Sequence, residues 1–304
     1  MKDINTGTYP TMITPFYDDN TVDYEAVKNI TNWYIDNGCT GIFAVCQSSE
    51  MIYLSLEEKV KIAKTVVETV KASGKNVSVV ASGHNSDDMN AQIEEMTAIA
   101  NTGVDAIVWV SNRLDLHNDG DDVWIKNAEY LLSKLPEDIY ECPYPYKRLL
   151  TPKILDWCIS TGRFAFIKDT CCDPDMLEAR LEQLKGTSIK LFNANSQTFL
   201  YTLRHGAAGF SGIMGNFHPD LYAWVCDNYE KEPEKAERVQ GFLTLTAFLE
   251  ALAYPQTAKY HMNKVGVPMS LWSRSCDQKK FTKYQRMIID ELIQTENHVR
   301  EIIK

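Results

Sequence analysis

Short apolar runs alternate with longer amphipathic ones along this chain, about eight times over, before the pattern turns purely helical. Runs rich in aromatic and β-branched residues predict strands near Tyr9–Thr14, Gly41–Val45, Val77–Ser82, Ala106–Val110, Asp138–Glu141, Phe164–Lys168, Ile189–Asn193 and Gly209–Gly212. The segments between them carry helical spacing, and several open with a cap. Ser55 with Glu58 forms a capping-box pattern, while Thr151-Pro152 and Asp173-Pro174 each put a cap residue before a proline at the first helical position. Parallel strands joined by helical crossovers produce this alternation. Eight such units predict an α/β fold, a closed (β/α)8 TIM barrel, although an open doubly wound sheet shows the same periodicity. After about Pro219 only helical patterns remain, broken near Glu232-Pro233 and Gly266-Val267-Pro268. Residues 1–218 are therefore expected to form the barrel core, and 219–304 the last barrel helix and a C-terminal helical extension. No Gly/Ser linker separates the two, so independent motion is not expected.

Length agrees with this architecture, since 304 residues accommodate a barrel of about 250 and an added helical segment. The net charge of -10 and the absence of a long basic run argue against nucleic acid or an anionic membrane as partner. The start, MKDINTGTYP, has no apolar signal core, and no stretch approaches the roughly 18 apolar residues of a membrane span. A cytoplasmic protein is expected. Its 8 cysteines include no Cys-x-x-Cys pair and read as free thiols, with the adjacent Cys171 and Cys172 as small apolar fillers near a strand end.

Candidate chemistry gathers at the strand ends, where a barrel carries its active groups. The run Phe164-Ala165-Phe166-Ile167-Lys168 ends an apolar strand in an amine. Burial disfavours a charged ammonium, and a neutral amine attacks ketones to form a Schiff base. Tyr140, one unit earlier at the end of strand five, falls on the neighbouring strand about 5 Å away and is a candidate proton carrier. Strand two ends in the polar turn Cys46-Gln47-Ser48-Ser49-Glu50, where Gln47, Ser48 and Ser49 with their N–H groups are candidates to hold a carboxylate. The last strand runs through Gly206-Ala207-Ala208-Gly209-Phe210-Ser211-Gly212; its glycines suit close approach of a ligand or tight barrel packing, and Ser211 is a further candidate. His84 ends strand three, facing either the pocket or a loop hydrogen bond. No His-x-x-x-His spacing occurs, which disfavours a metal-dependent aldolase.

Taken together, these segments resemble the dihydrodipicolinate synthase and N-acetylneuraminate lyase family of Schiff-base lyases. The resemblance rests on Thr14-Pro15-Phe16 with Asp23, the Cys46-to-Glu50 turn followed by Leu54-Ser55-Leu56-Glu57-Glu58, and Gly103-Val104-Asp105-Ala106. It continues through Tyr140-Glu141-Cys142-Pro143, Ile167-Lys168-Asp169-Thr170, and Gly206-Ala207-Ala208-Gly209 with Asn216 and Pro219. It implies a (β/α)8 barrel with a C-terminal helical segment, assembled as a homotetramer, with Lys168 as Schiff-base residue and Tyr140 as proton shuttle. No metal or organic cofactor is implied, and the partner is a small 2-oxo acid.

Three departures qualify that resemblance. The family's Gly-Thr-Thr-Gly-Glu turn is replaced by Cys46-Gln47-Ser48-Ser49-Glu50, so Gln47 stands where the synthases place a relay hydroxyl. The paired tyrosines after strand four are replaced by Val110-Ser111-Asn112-Arg113-Leu114. The arginine expected after the Tyr140 motif has no clean match in Tyr144-Pro145-Tyr146-Lys147-Arg148, where Lys147 or Arg148 is a candidate substitute. Arg113 is a candidate for an acidic or hydroxylated substrate tail. The expected activity is a class I lyase or aldolase acting on pyruvate or a related 2-oxo acid. The alternatives are a sugar-acid dehydratase using the same imine, dihydrodipicolinate synthase itself, and a catalytically silent barrel oligomer.

Overall fold

The structure is a computed structural model that describes residues 3–135, 139–140 by their backbone, and 146–304. Among the described residues nine parallel strand segments appear. They are β1 (Gly7–Thr8), β2 (Gly41–Phe43), β3 (Ser78–Ala81), β4 (Ala106–Ile107), β5 (Trp109–Val110), β6 (Ile139–Tyr140), β7 (Phe166–Asp169), β8 (Lys190–Asn193) and β9 (Gly209–Phe210). One sheet runs β1-β9-β8-β7-β6-β5 and a second β2-β3-β4. Two features join them into a closed barrel. Thr11 bridges Phe43, with Met12 N–H donating to the Phe43 carbonyl at 3.0 Å, and β4 and β5 are halves of one strand interrupted at Val108. The expected Tyr9–Thr14 strand is therefore shifted: pairing with β9 is made by Gly7 and Thr8, and Pro10, which has no N–H, breaks the ladder before the Thr11 bridge. Asp138 and Glu141, the ends of the expected fifth strand, lie outside the described residues.

Helices alternate with the strands as α1 (Tyr24–Asp36), α2 (Leu56–Ser73), α3 (Met89–Ala100), α4 (Asp121–Leu132), α5 (Pro152–Thr161), α6 (Pro174–Leu184), α7 (Phe199–Arg204) and α8 (Pro219–Asn228). The expected caps are in place. Ser55 and Glu58 form a reciprocal capping box on α2, and Thr151 and Asp173 accept from the third N–H of α5 and α6. The glycines of the last strand serve packing: a Cβ on Gly209 would meet the Gly7 carbonyl oxygen at 1.8 Å, so β1 and β9 close only around a bare Cα. Inside the barrel the rings of Tyr9, Phe43, Phe166 and Phe192 pack with centroids 4.5–6.0 Å apart. Each such buried ring contributes about 1.5–3 kcal/mol of hydrophobic stabilisation.

The chain then continues as α9 (Pro233–Thr246), α10 (Gln256–Lys264) and α11 (Lys283–Ile303). A buried polar cluster ties them to the last barrel helix. Glu296 of α11 accepts from His218, the residue before α8, and from His261 of α10, at 3.1 and 2.9 Å. Arg300 spans from Glu296 to Asp220. No helix among the described residues is long and apolar enough to cross a membrane.

Candidate active site

Strand β7 explains where Lys168 goes. Side chains alternate across a strand, so Phe166 and Lys168 share the barrel interior while Asp169 turns outward. Phe166 sits in the aromatic layer, and Lys168, 5% exposed, stands beyond it at the carboxyl ends of the strands. Its register partners are Tyr140 in β6 and Phe192 in β8. Asp169 pairs with Arg180 of α6, which also donates to the Leu150 carbonyl at 2.6 Å. The outward ion pair thus fixes the strand end that carries the amine.

Lys168 lines a cavity of about 560 Å³. Gln47 and Ser48 face it from the turn after β2, Thr170 and Cys172 from the loop after β7, Asn195 from the loop after β8, and Gly212 from the loop after β9. Lys147 adds a cation, its Nζ 3.4 Å from the Cys171 carbonyl oxygen. Glu250, Tyr254 and Ser275 reach in from the C-terminal extension. A second cavity of about 540 Å³, lined by Gly7, Lys190 and Ala207, lies at the opposite ends of the strands, where barrels carry stability rather than chemistry.

The turn after β2 is a single 3-10 helix, Gln47–Ser49, closed by Glu50 in the left-handed region at φ 62°. That conformation costs a non-glycine residue about 1–2 kcal/mol. The turn is held from below by Ser49, whose hydroxyl donates to the Met12 carbonyl at 2.6 Å and accepts from Cys46 N–H at 3.0 Å, and whose carbonyl accepts from Thr14 Oγ1 at 2.6 Å. The N–H groups of Ser48 and Ser49 are turned toward the Cys46 thiol at the start of the turn. Burial pushes the Cys46 thiol up from its ordinary value and the Lys168 charge pulls it partway back. Burial likewise raises the Glu250 carboxyl, and Lys168 again opposes the rise. The amine's field therefore reaches both the turn and the rim.

The structure brings Lys168, Gln47 and Ser48 to the cavity, with Tyr140 at the register position beside Lys168. The other expected residues are placed elsewhere. The hydroxyl of Ser49 is spent on the Met12 carbonyl beneath the turn, and Ser211 is fully buried with an Oγ that has no hydrogen-bond partner among the described residues. Arg113 is paired with Asp87 and does not line the cavity. Of the two basic residues after strand five, Lys147 faces the cavity, whereas Arg148 is held by Asp115 and Asp121 at 3.2 and 2.9 Å. Glu141, Cys142, Pro143, Tyr144 and Pro145 lie outside the described residues. His84 takes the loop role: Val110 N–H donates to its Nδ1 at 2.8 Å, which leaves Nε2–H to donate to Gln92, and burial pulls the ring down to about 4. Cys172 is exposed and lines the cavity, unlike the apolar filler expected, and its backbone is in the left-handed region at φ 61°. Sequence reasoning missed Thr170, Asn195, Glu250, Tyr254 and Ser275. The first two follow identifiable strands; the last three have no local signal, since only folding-back of the extension brings them here.

A closed (β/α)8 barrel whose strand ends surround a cavity with a buried lysine is the architecture of enzymes that build their sites from βα loops. The sequence profile of the Dihydrodipicolinate synthetase family matches residues 5–288, and the chain belongs to that family of lyase-type enzymes. It is 24% identical over 308 residues to the 4-hydroxy-tetrahydrodipicolinate synthase of Pseudoalteromonas atlantica, covering 98% of this chain and 97% of that one. The Clostridium perfringens synthase is 26% identical over 223 residues, 73% of this chain and 75% of its own. The fold is shared with the solved dihydrodipicolinate synthase of Thermotoga maritima, at a TM-score of 0.84 and 15% identity over 97% of this chain and 99% of that one. It is shared too with YagE, an E. coli K12 prophage protein of the dihydrodipicolinic acid synthase family solved in complex with pyruvate, at 0.85 and 20% over 96% and 98%.

Proposed function

We propose that this chain is a class I, Schiff-base lyase acting on pyruvate or a related 2-oxo acid, with reversible cleavage or formation of a carbon–carbon bond. The observation that carries the reading is the place of Lys168, buried at a strand end on the wall of the cavity. Once its ammonium has given up a proton, the Lys168 amine adds to the ketone carbon, and the carbinolamine takes up a proton and loses water to leave an iminium. In a 4-hydroxy-2-oxo acid the iminium accepts the electron pair of the C3–C4 bond as the C4 hydroxyl gives up its proton, releasing an aldehyde and leaving an enamine. Protonation of that enamine and hydrolysis return the 2-oxo acid and the free lysine. Tyr140, the register partner of Lys168 in β6, carries the protons. Ser48 and Gln47 hold the substrate carboxylate, with Ser49 as the anchor of their turn and Lys147 adding charge at the rim.

The condensation in the curated relatives' names is the second reading. Against it, Asn112 donates to the Tyr146 carbonyl at 2.7 Å and Arg113 is tied to Asp87, so neither stands in for a phenolic relay. A dehydratase of sugar acids uses the same imine and differs only in the bond broken. The reading supposes assembly as a homotetramer without metal or organic cofactor.

Proton exchange tests it. Pyruvate held in deuterated buffer with the enzyme should exchange its methyl protons through the enamine, visible by NMR, and Lys168→Met should abolish the exchange. A wild-type enzyme that leaves the methyl group unlabelled across a panel of 2-oxo acids would favour the silent barrel.

A further inference from the structure

The turn that faces the cavity is gripped from a second side. Glu50 Oε1 accepts three hydrogen bonds, from Ser273 Oγ at 2.8 Å and from the N–H groups of Arg274 and Ser275 at 2.7 Å each, all in the segment between α10 and α11. The Nζ of Lys259 in α10 stands 3.7 Å from Glu50 Oε2 and 4.8 Å from the Phe16 ring centroid, and also donates to the Trp272 carbonyl. Both members of this pair are buried, Lys259 completely. One turn further back, Tyr254 OH donates to the Ser48 carbonyl at 3.0 Å. The extension therefore holds Ser48 by its carbonyl and Glu50 by its carboxylate, on either side of the Ser49 anchor.

Simple adhesion does not account for this arrangement. A buried ion pair gives little net stability over an apolar pair of the same size, because both charges lose their water. What the pair does supply is a fixed direction for Glu50, which is strained in the left-handed region and lines the same cavity as Lys168. Releasing the carboxylate would let the turn relax toward ordinary backbone angles, moving Ser48 and Gln47 from their places on the cavity wall.

We propose that Glu50 and Lys259 are positioning residues for substrate binding: through them the docked C-terminal extension sets the turn that receives the 2-oxo acid carboxylate. This rests on the Schiff-base reading of Lys168. Carboxylate contacts are made equally in the ground and transition states, so loosening them raises KM and leaves kcat near its starting value.

The test is the pyruvate concentration giving half-maximal inactivation by borohydride, with steady-state kcat and KM alongside, for wild type, Lys259→Met, Lys259→Arg and Glu50→Gln. Lys259→Met should raise half-saturation and KM about tenfold or more, with kcat within about threefold. Lys259→Arg should restore most of the loss, and Glu50→Gln should show a smaller rise. The glutamine oxygen keeps the three hydrogen bonds, so this variant decides the matter if Lys259→Met fails to fold. Unshifted half-saturation in folded variants, or a fall in kcat at constant KM, overturns the proposal alone. Wild-type enzyme untouched by borohydride at any pyruvate concentration overturns the Schiff-base reading and this proposal with it.

Discussion

Asp169, the residue that follows Lys168, is bound by the Arg180 guanidinium of α6, and both side chains are buried. The pair locks the outward face of β7 while the inward face presents the amine. Arg180→Met strands a buried carboxylate, which costs about 3–5 kcal/mol. Chemical denaturation should show a loss of that size. A loss below about 1 kcal/mol would mean that the Cys171 N–H, which donates to Asp169 Oδ1 at 2.8 Å, compensates the carboxylate by itself.

Tyr140→Phe tests the proton carrier. Positioned proton transfer contributes about 10²–10⁴ in rate, so kcat should fall roughly 100-fold or more with little change in substrate affinity. Unaltered turnover, with chemistry shown to be rate-limiting, would remove Tyr140 from the mechanism.

The Glu296 cluster gives the fold a defined acid response. Burial pushes the Glu296 carboxyl up, but hydrogen bonds from His218 and His261 outweigh it and hold it at about 2. Its folded value lies below its unfolded value, so the stabilisation is present above about pH 4.5 and is lost as pH falls toward about 2. Glu296→Gln should cost roughly 3 kcal/mol at pH 6 by urea denaturation, and its deficit against wild type should shrink between pH 4.5 and 2. A deficit that does not change with pH would contradict the assignment.

The barrel was legible in the sequence because its signals are local. Alternating apolar runs, the Ser55–Glu58 box and the prolines at 152, 174 and 219 each act within a few residues, and helix starts agree with them. Lys168 was legible for the same reason, as a charge closing an apolar strand. Ser49, Ser211 and Arg113 were not, because whether a polar side chain meets the cavity depends on distant parts of the chain: the Met12 carbonyl takes the Ser49 hydroxyl, Asp87 takes Arg113, and Ser211 is completely buried. Lys259 gave no warning at all. A lysine on an amphipathic helix reads as solvated, and its burial is explained by partners far away in sequence, the Glu50 carboxylate and the Phe16 ring, together with the Trp272 carbonyl.

The expectation that Asn112 and Arg113 stand where the synthases carry paired tyrosines has a kinetic consequence. Condensation of pyruvate with aspartate semialdehyde should be slow relative to cleavage of at least one hydroxylated 2-oxo acid, because these side chains are bound to Tyr146 and Asp87 and pass no proton. Coupled assays across both reactions measure the ratio. Efficient condensation with no cleavage activity would reverse the ranking and require another group in the relay.

Trapping of the imine bears most directly on the account as a whole. Enzyme incubated with pyruvate and borohydride, then digested and examined by mass spectrometry, should carry the reduced adduct on the peptide containing Lys168 and on no other lysine, with loss of activity in proportion. An unmodified Lys168 peptide, or an adduct spread over surface lysines with activity retained, would contradict it.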